Sequence, residues 1–153
     1  MEEVGRFRFV QLEGWFTAFL ADAHRAAGRL GRARELAGHA LALTRGTRSL
    51  YGVGWAERAL GRIGRARGNL AEARTGFEAA LDTFGRIHAP YEEGRTHLDL
   101  ALAHAAGGAP EAATRHVAAA YDLFRLLRIP VGVTRTRELA KELDVPLPEG
   151  RGR

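Results

Sequence analysis

Residues 66–81 read ARGNLAEARTGFEAAL, in which a helix-forming run is cut at Gly68 and resumes at once behind an asparagine. Glycine takes the left-handed backbone conformation that ends a helix without a Cβ penalty, so Gly68 reads as a stop. Asn69 reads as the cap of the next helix, and Glu72, three positions on, completes a capping-box pattern. Gly28 and Gly108 lie forty positions to either side. The same spacing relates Gly14, Gly54 and Gly94; Leu20, Leu60 and Leu100; Ala33, Ala73 and Ala113; and Ala40, Ala80 and Ala120. A period in the range of roughly 20–50 residues is the mark of stacked repeats, in which each unit is too thin to bury its own apolar face.

The units are then about 11–50, 51–90 and 91–130, with a partial fourth at 131–143 acting as a cap and a flexible tail at 144–153. Pro90 and Pro130 close successive units. Each unit holds two helices. In the second, Leu60 and Ile63 precede the glycine, and Ala73, Phe77, Ala80, Phe84 and Ile87 follow it at helical spacing. Pro110 suits a first helical turn, where its missing N–H costs little. The recurrent alanines, with Ala21, Gly61 and Ala101, let helix backbones approach, while Leu20, Leu60, Leu100, Phe77 and Val117 fill the gaps. The expected fold is all-α, an α-α superhelix of three helix pairs and a C-terminal capping helix.

These residues resemble the tetratricopeptide repeat. The likeness is carried by Leu60-Gly61, Gly68, Leu70, Ala73, Phe77 and Ala80; by Leu20-Ala21, Gly28, Leu30, Ala33, Ala37 and Ala40; and by Leu100-Ala101, Gly108, Pro110, Ala113, Val117 and Ala120. It covers about 11–143. That family's usual period is shorter by about six residues, which are assigned here to a longer second helix and to the link around Pro90 and Pro130. Trp15 and Trp55 sit about two positions upstream of the aromatic residue the family places early in its first helix. The wording YEEGRTHLDLALAHAAGG (91–108) and AYDLFRLLRIP (120–130) is similar to the long-repeat arrays of bacterial ATPase-type transcription regulators and cyclase- or kinase-associated sensor proteins. The resemblance implies a non-enzymatic scaffold that binds a protein or peptide.

The 153 residues carry 46% apolar and 27% charged residues, the balance of a globular chain. There is no cysteine, hence no disulfide, thiolate nucleophile or cysteine metal site, and the cytoplasm is the expected compartment. No apolar run is long enough for a membrane span, and the acidic start shows no export signal. A net charge of +5 raises nucleic acid as an alternative partner. Yet Lys141 is the one lysine among 23 basic residues, the arginine bias of a GC-rich coding sequence, and the charges are mixed in sign along the chain.

No catalytic, cofactor or metal residues are read from the sequence. Ser49 is the sole serine, no phosphate loop occurs, and YGVGWAE (51–57) lacks the third glycine of a dinucleotide turn. His24 and His104 share a repeat position but have no i, i+4 histidine partner. The first helices of tetratricopeptide repeats line a concave surface where segments dock. By that resemblance the partner-binding face holds Trp15, Asp22, Arg25, Trp55, Arg58, Arg62, Arg65, Arg95, Asp99 and Leu102. Arg58, Arg62 and Arg65, at i, i+4 and i+7, form a stripe suited to an acidic segment; the alternative is a row of solvated arginines. At the N-terminus, Phe7, Phe9, Val10, Trp15 and Phe16 have little polar covering. They read either as a homodimer contact or as a helix folded onto its own core.

Overall fold

A computed structural model describes residues 2–147, and the side chains of these apart from 2–4 and 7. Phe7's side chain and the end of the tail, residues 148–153, lie outside the described residues. Seven helices follow one another, with no strand among the described residues: α1 (Glu2–Ala26), α2 (Leu30–Gly46), α3 (Leu50–Ala66), α4 (Leu70–Arg86), α5 (Pro90–Ala106), α6 (Pro110–Leu126) and α7 (Pro130–Glu142). They form two compact units, Met1–His88 and Ala89–Arg153. In the first, α1 packs on α2, both pack on α3, and α3 packs on α4; in the second, α5 packs on α6, and α7 touches both. The chain is thus an all-α succession of helix hairpins, as the forty-residue period requires.

The period divides evenly. Helices α2 to α6 each have 17 residues. Three-residue connectors separate them, so a helix begins every twenty positions from Leu30 to Pro130. The extra length relative to the tetratricopeptide pattern is therefore shared by both helices of a pair and is not confined to the second helix and a proline link. Pro90 and Pro130 open α5 and α7 in the first turn instead of closing the preceding unit.

Every connector uses one device. Gly28, Gly68 and Gly108 have φ of 75°, 75° and 70°, and Arg48, His88 and Arg128 occupy the same left-handed region at 54°, 51° and 54°. At Gly68 the pair of Schellman hydrogen bonds is complete: Gly68 N–H donates to Arg65 C=O and Asn69 N–H to Gly64 C=O, at 3.0 and 2.9 Å. The same pair recurs at Arg48–Ser49 and Arg128–Ile129. The Asn69 cap forms as expected, its side chain accepting from Glu72 N–H at 3.1 Å. The capping box is only half built, because Glu72 accepts from the Asn69 side chain at 3.2 Å while the Asn69 backbone N–H is already taken by Gly64.

Packing explains the aligned small residues. Ala33, Ala40, Ala73, Ala80, Ala113 and Ala120 have no exposed surface. The helix-interior glycines face a recurrent knob: a Cβ on Gly54 would meet the Phe84 ring at 2.6 Å, and Cβ atoms on Gly94 and Gly132 would meet the Phe124 ring at 2.8 and 2.5 Å. Residues 84 and 124 are one repeat apart, and 44, the next equivalent, is a threonine pressed on Gly14. The tightest crossing is α3 on α4, where a Cβ on Gly76 would lie 2.6 Å from the Gly61 nitrogen. Leu100, Phe77 and Val117 are buried gap-fillers as expected, but Leu20 is exposed on the open side of α1.

Candidate functional site

The residues assigned to the partner face divide between the two units. In the first unit, Trp15 donates its indole N–H to Ser49 Oγ at 2.7 Å and meets Trp55 edge-on at 5.4 Å. Phe19 and Tyr51 also lie against Trp55, so the tryptophans form one aromatic cluster across α1 and α3. Asp22 accepts from Arg25 at 2.6 Å and from Arg62, forty positions away, at 3.1 Å. Burial pushes the Asp22 carboxyl up, but the hydrogen bond from Arg25 and the charges of Arg62 and Arg25 outweigh it and hold the group below the usual carboxylate range. An ion pair therefore ties the first helices of adjacent repeats.

Arg58, only 4% exposed, lays its guanidinium over the Phe84 ring at 5.4 Å. Arg65 is half-buried, and its Nε is buried without a hydrogen-bond partner among the described residues. The even spacing of this stripe thus hides three different environments. Arg58 is packed into its own unit and Arg62 is engaged with α1. In the second unit, Arg95 lies over Tyr91 at 5.7 Å and pairs with Glu92 at 3.7 Å; Asp99 is buried, and Leu102 packs on the cluster of Ala101, Val117 and Leu139.

Exposed guanidiniums gather elsewhere, at the connectors from the second helix of one pair to the first of the next. In the first unit a cavity of about 520 Å³ between α2, α3 and α4 is lined by Arg45, Arg48 and Arg86. Buried Glu57 lines it too, accepting from Thr83 at 2.8 Å and from Arg45 at 3.4 Å, and Asp82 is a second acidic lining residue. The second unit has a cleft of about 320 Å³ between α6 and α7, lined by Arg125, Arg128 and Arg137 with Phe124, Ile129 and Val133. No carboxylate lines it among the described residues. Arg125 and Arg137 both stack on buried Tyr121, at 5.6 and 5.7 Å, and Arg137 also donates to its hydroxyl at 3.2 Å. These contacts orient two of the three forks.

The two basic recesses are related by the repeat. Arg45 and Arg125, and Arg48 and Arg128, stand eighty positions apart. Where the first has Glu57, the second has Arg137. That eighty-residue correspondence was the sequence signal for the clefts, and attention to the first helices alone misses it. A second cluster lies on α5 and α6, where His97 and His116 bring Nδ1 atoms within 2.9 Å and His104 stacks on His116 at 5.2 Å. Burial, together with His97, His104 and Arg115, pushes His116 down to about 4, and burial lowers His97 as well. No group of three or more His, Cys, Asp or Glu side chains among the described residues could hold a metal ion. No helix among them is long and apolar enough to cross a membrane. Set against protein-family models, curated proteins and solved structures, the chain has no match.

Proposed function

We propose that the protein is a non-enzymatic scaffold of tetratricopeptide-like helix pairs that binds an acidic segment of a partner protein. The carrying observation is the α6–α7 cleft, whose lining among the described residues has three guanidiniums and no carboxylate. Guanidinium forks grip carboxylates bidentately, and pre-orientation by Tyr121 lowers the entropy lost on binding. Backbone strain at Arg128 supports this reading. A non-glycine residue in the left-handed region costs roughly 1–2 kcal/mol, and Arg128 shares it with its repeat equivalents Arg48 and His88, whereas the turns within pairs, at 28, 68 and 108, hold glycine. A side chain kept at such a cost in a cleft is a reasonable functional one. The role suits a regulatory or sensor segment of a bacterial cytoplasmic protein. A second surface, the exposed apolar face of α1, extends the scaffold role to protein–protein contact.

The test is fluorescence anisotropy with a labelled glutamate-rich peptide and a labelled oligonucleotide, each at low and high salt. The peptide should bind, and Arg125→Ala with Arg128→Ala should weaken it at least tenfold while Arg34→Ala, far along the chain on α2, leaves it unchanged. Equal affinity for the double variant overturns the cleft. Oligonucleotide binding that falls steeply with salt, with no peptide binding, replaces the reading with a nucleic-acid one.

A further inference from the structure

Helix α1 carries a row of large apolar side chains open to solvent: Phe9 at 76%, Leu12 at 43%, Phe16 at 68%, Phe19 at 51% and Leu20 at 48% exposure. The repeat shows what such a row corresponds to. Forty positions on, Ser49, Gly52, Ala56, Ala59 and Leu60 are the residues through which α3 joins the α1–α2 hairpin. Ala56 packs on Ala18 and Ala40, and Ala59 and Leu60 pack with Ala21, Ala33 and Leu36. The equivalent positions of α7, Gly132, Thr136, Leu139 and Ala140, are buried too. On α1 alone this joint face is open. It is also the one with bulk, since Leu12 stands where α3 has glycine, and Phe16 and Phe19 stand where α3 has alanine. A helix packed as closely as α2 is on α3 would collide with these rings, so the face does not suit the array's own kind of joint.

We propose that this face is covered by the α1 of a second copy of the chain in a two-fold dimer. Phe9, Leu12, Phe16 and Phe19 follow steps of three, four and three, the alternation of a coiled-coil seam. The same steps read identically from either end, so two antiparallel copies of the row stay in register, and a two-fold contact uses one patch on both copies. Their exposed fractions amount to apolar surface on the order of 500 Å² per copy, given roughly 150–250 Å² for an aromatic side chain. That matches the largest apolar patch a typical monomer carries, a patch that is often functional. Complete burial of both rows would cover about 1,000 Å², the threshold a biological interface has to clear. The charge of the α1 sequence favours a protein over a lipid surface: Arg6, Arg8 and Arg25 are matched by Glu2, Glu3, Glu13 and Asp22, whereas membrane-surface helices carry a basic polar face.

Sedimentation equilibrium of the full chain over a wide concentration range decides the matter, with the Phe9→Ser/Phe16→Ser double variant and Leu126→Ser as comparison. Leu126 is 78% exposed on α6 and lies outside the proposed contact. The expected result is a wild-type dimer, at least a tenfold rise in dissociation constant for the double variant with an unchanged helical spectrum, and no change for Leu126→Ser. A wild type that stays monomeric at every concentration overturns the proposal. So does a dimer indifferent to Phe9→Ser/Phe16→Ser or weakened by Leu126→Ser. Co-sedimentation of a monomer with anionic vesicles assigns the face to lipid instead. Peptide binding by the α6–α7 cleft is measured separately, so the two readings fail independently.

Discussion

Replacing Gly76 by alanine should destabilise the protein although alanine is the better helix former. The substitution sits in the middle of α4, where the new Cβ would lie 2.6 Å from the Gly61 nitrogen, 2.8 Å from its Cα and 2.9 Å from the Glu57 carbonyl oxygen. All three are backbone atoms of α3, so no rotamer change relieves the clash and the helices must separate. Overpacking of a tight core costs about 1–3 kcal/mol, and the rigidity of these neighbours puts this site near the upper end. Helix propensity returns about 1 kcal/mol, leaving a net loss of about 2 kcal/mol. Gly85, nine residues further along the same helix, is the internal control because a Cβ there meets nothing within 4 Å. Gly85→Ala should gain about 0.5–1 kcal/mol from propensity alone. Thermal melts followed by far-UV circular dichroism should place Gly76→Ala about 4–8 °C below wild type and Gly85→Ala about 1–4 °C above it. A Gly76→Ala melt at or above wild type would refute the close α3–α4 crossing.

The connectors and the histidine cluster give two more expectations. Arg48→Gly should raise stability by about 1 kcal/mol in a denaturant titration, since it removes a left-handed arginine at φ 54° without losing an ion pair; Gly68→Ala should lower it by a similar amount. Both histidines of the α5–α6 contact favour the neutral form in the fold, so their stabilising effect is complete above the ordinary value of 6.5 and is lost as pH falls towards about 4. Melting temperature should therefore decline across that window, and His116→Gln should decline less; parallel pH profiles would remove the linkage.

The fold was legible because its determinants are local. Gly68 can only stop a helix cheaply, Asn69 can only cap one well, and repeating that turn every forty residues fixes the hairpin as the unit. The boundaries between units were harder to place, because Arg48, His88 and Arg128 occupy a conformation no propensity scale assigns to them. The proposed binding surface was less legible still. Spacing places Arg58, Arg62 and Arg65 on one side of α3, but it cannot show that Gly54 makes room for Phe84 and that Arg58 settles over that ring. Nor can it show that Arg62 finds Asp22 on the neighbouring first helix. Which arginines remain available to a ligand depends on contacts between repeats, and those are set by packing.

The two kinds of left-handed connector leave different freedom to mutation. Positions 28, 68 and 108 hold glycine, and almost any replacement there loosens a hairpin. Positions 48, 88 and 128 already tolerate a full side chain in the same geometry, so a swap among arginine, histidine or an acid there alters surface chemistry at little added expense. Under the proposed function, a lineage of such proteins could retune its two basic clefts at positions 48 and 128 while the scaffold stays untouched, which makes these the first places to vary when engineering new specificity.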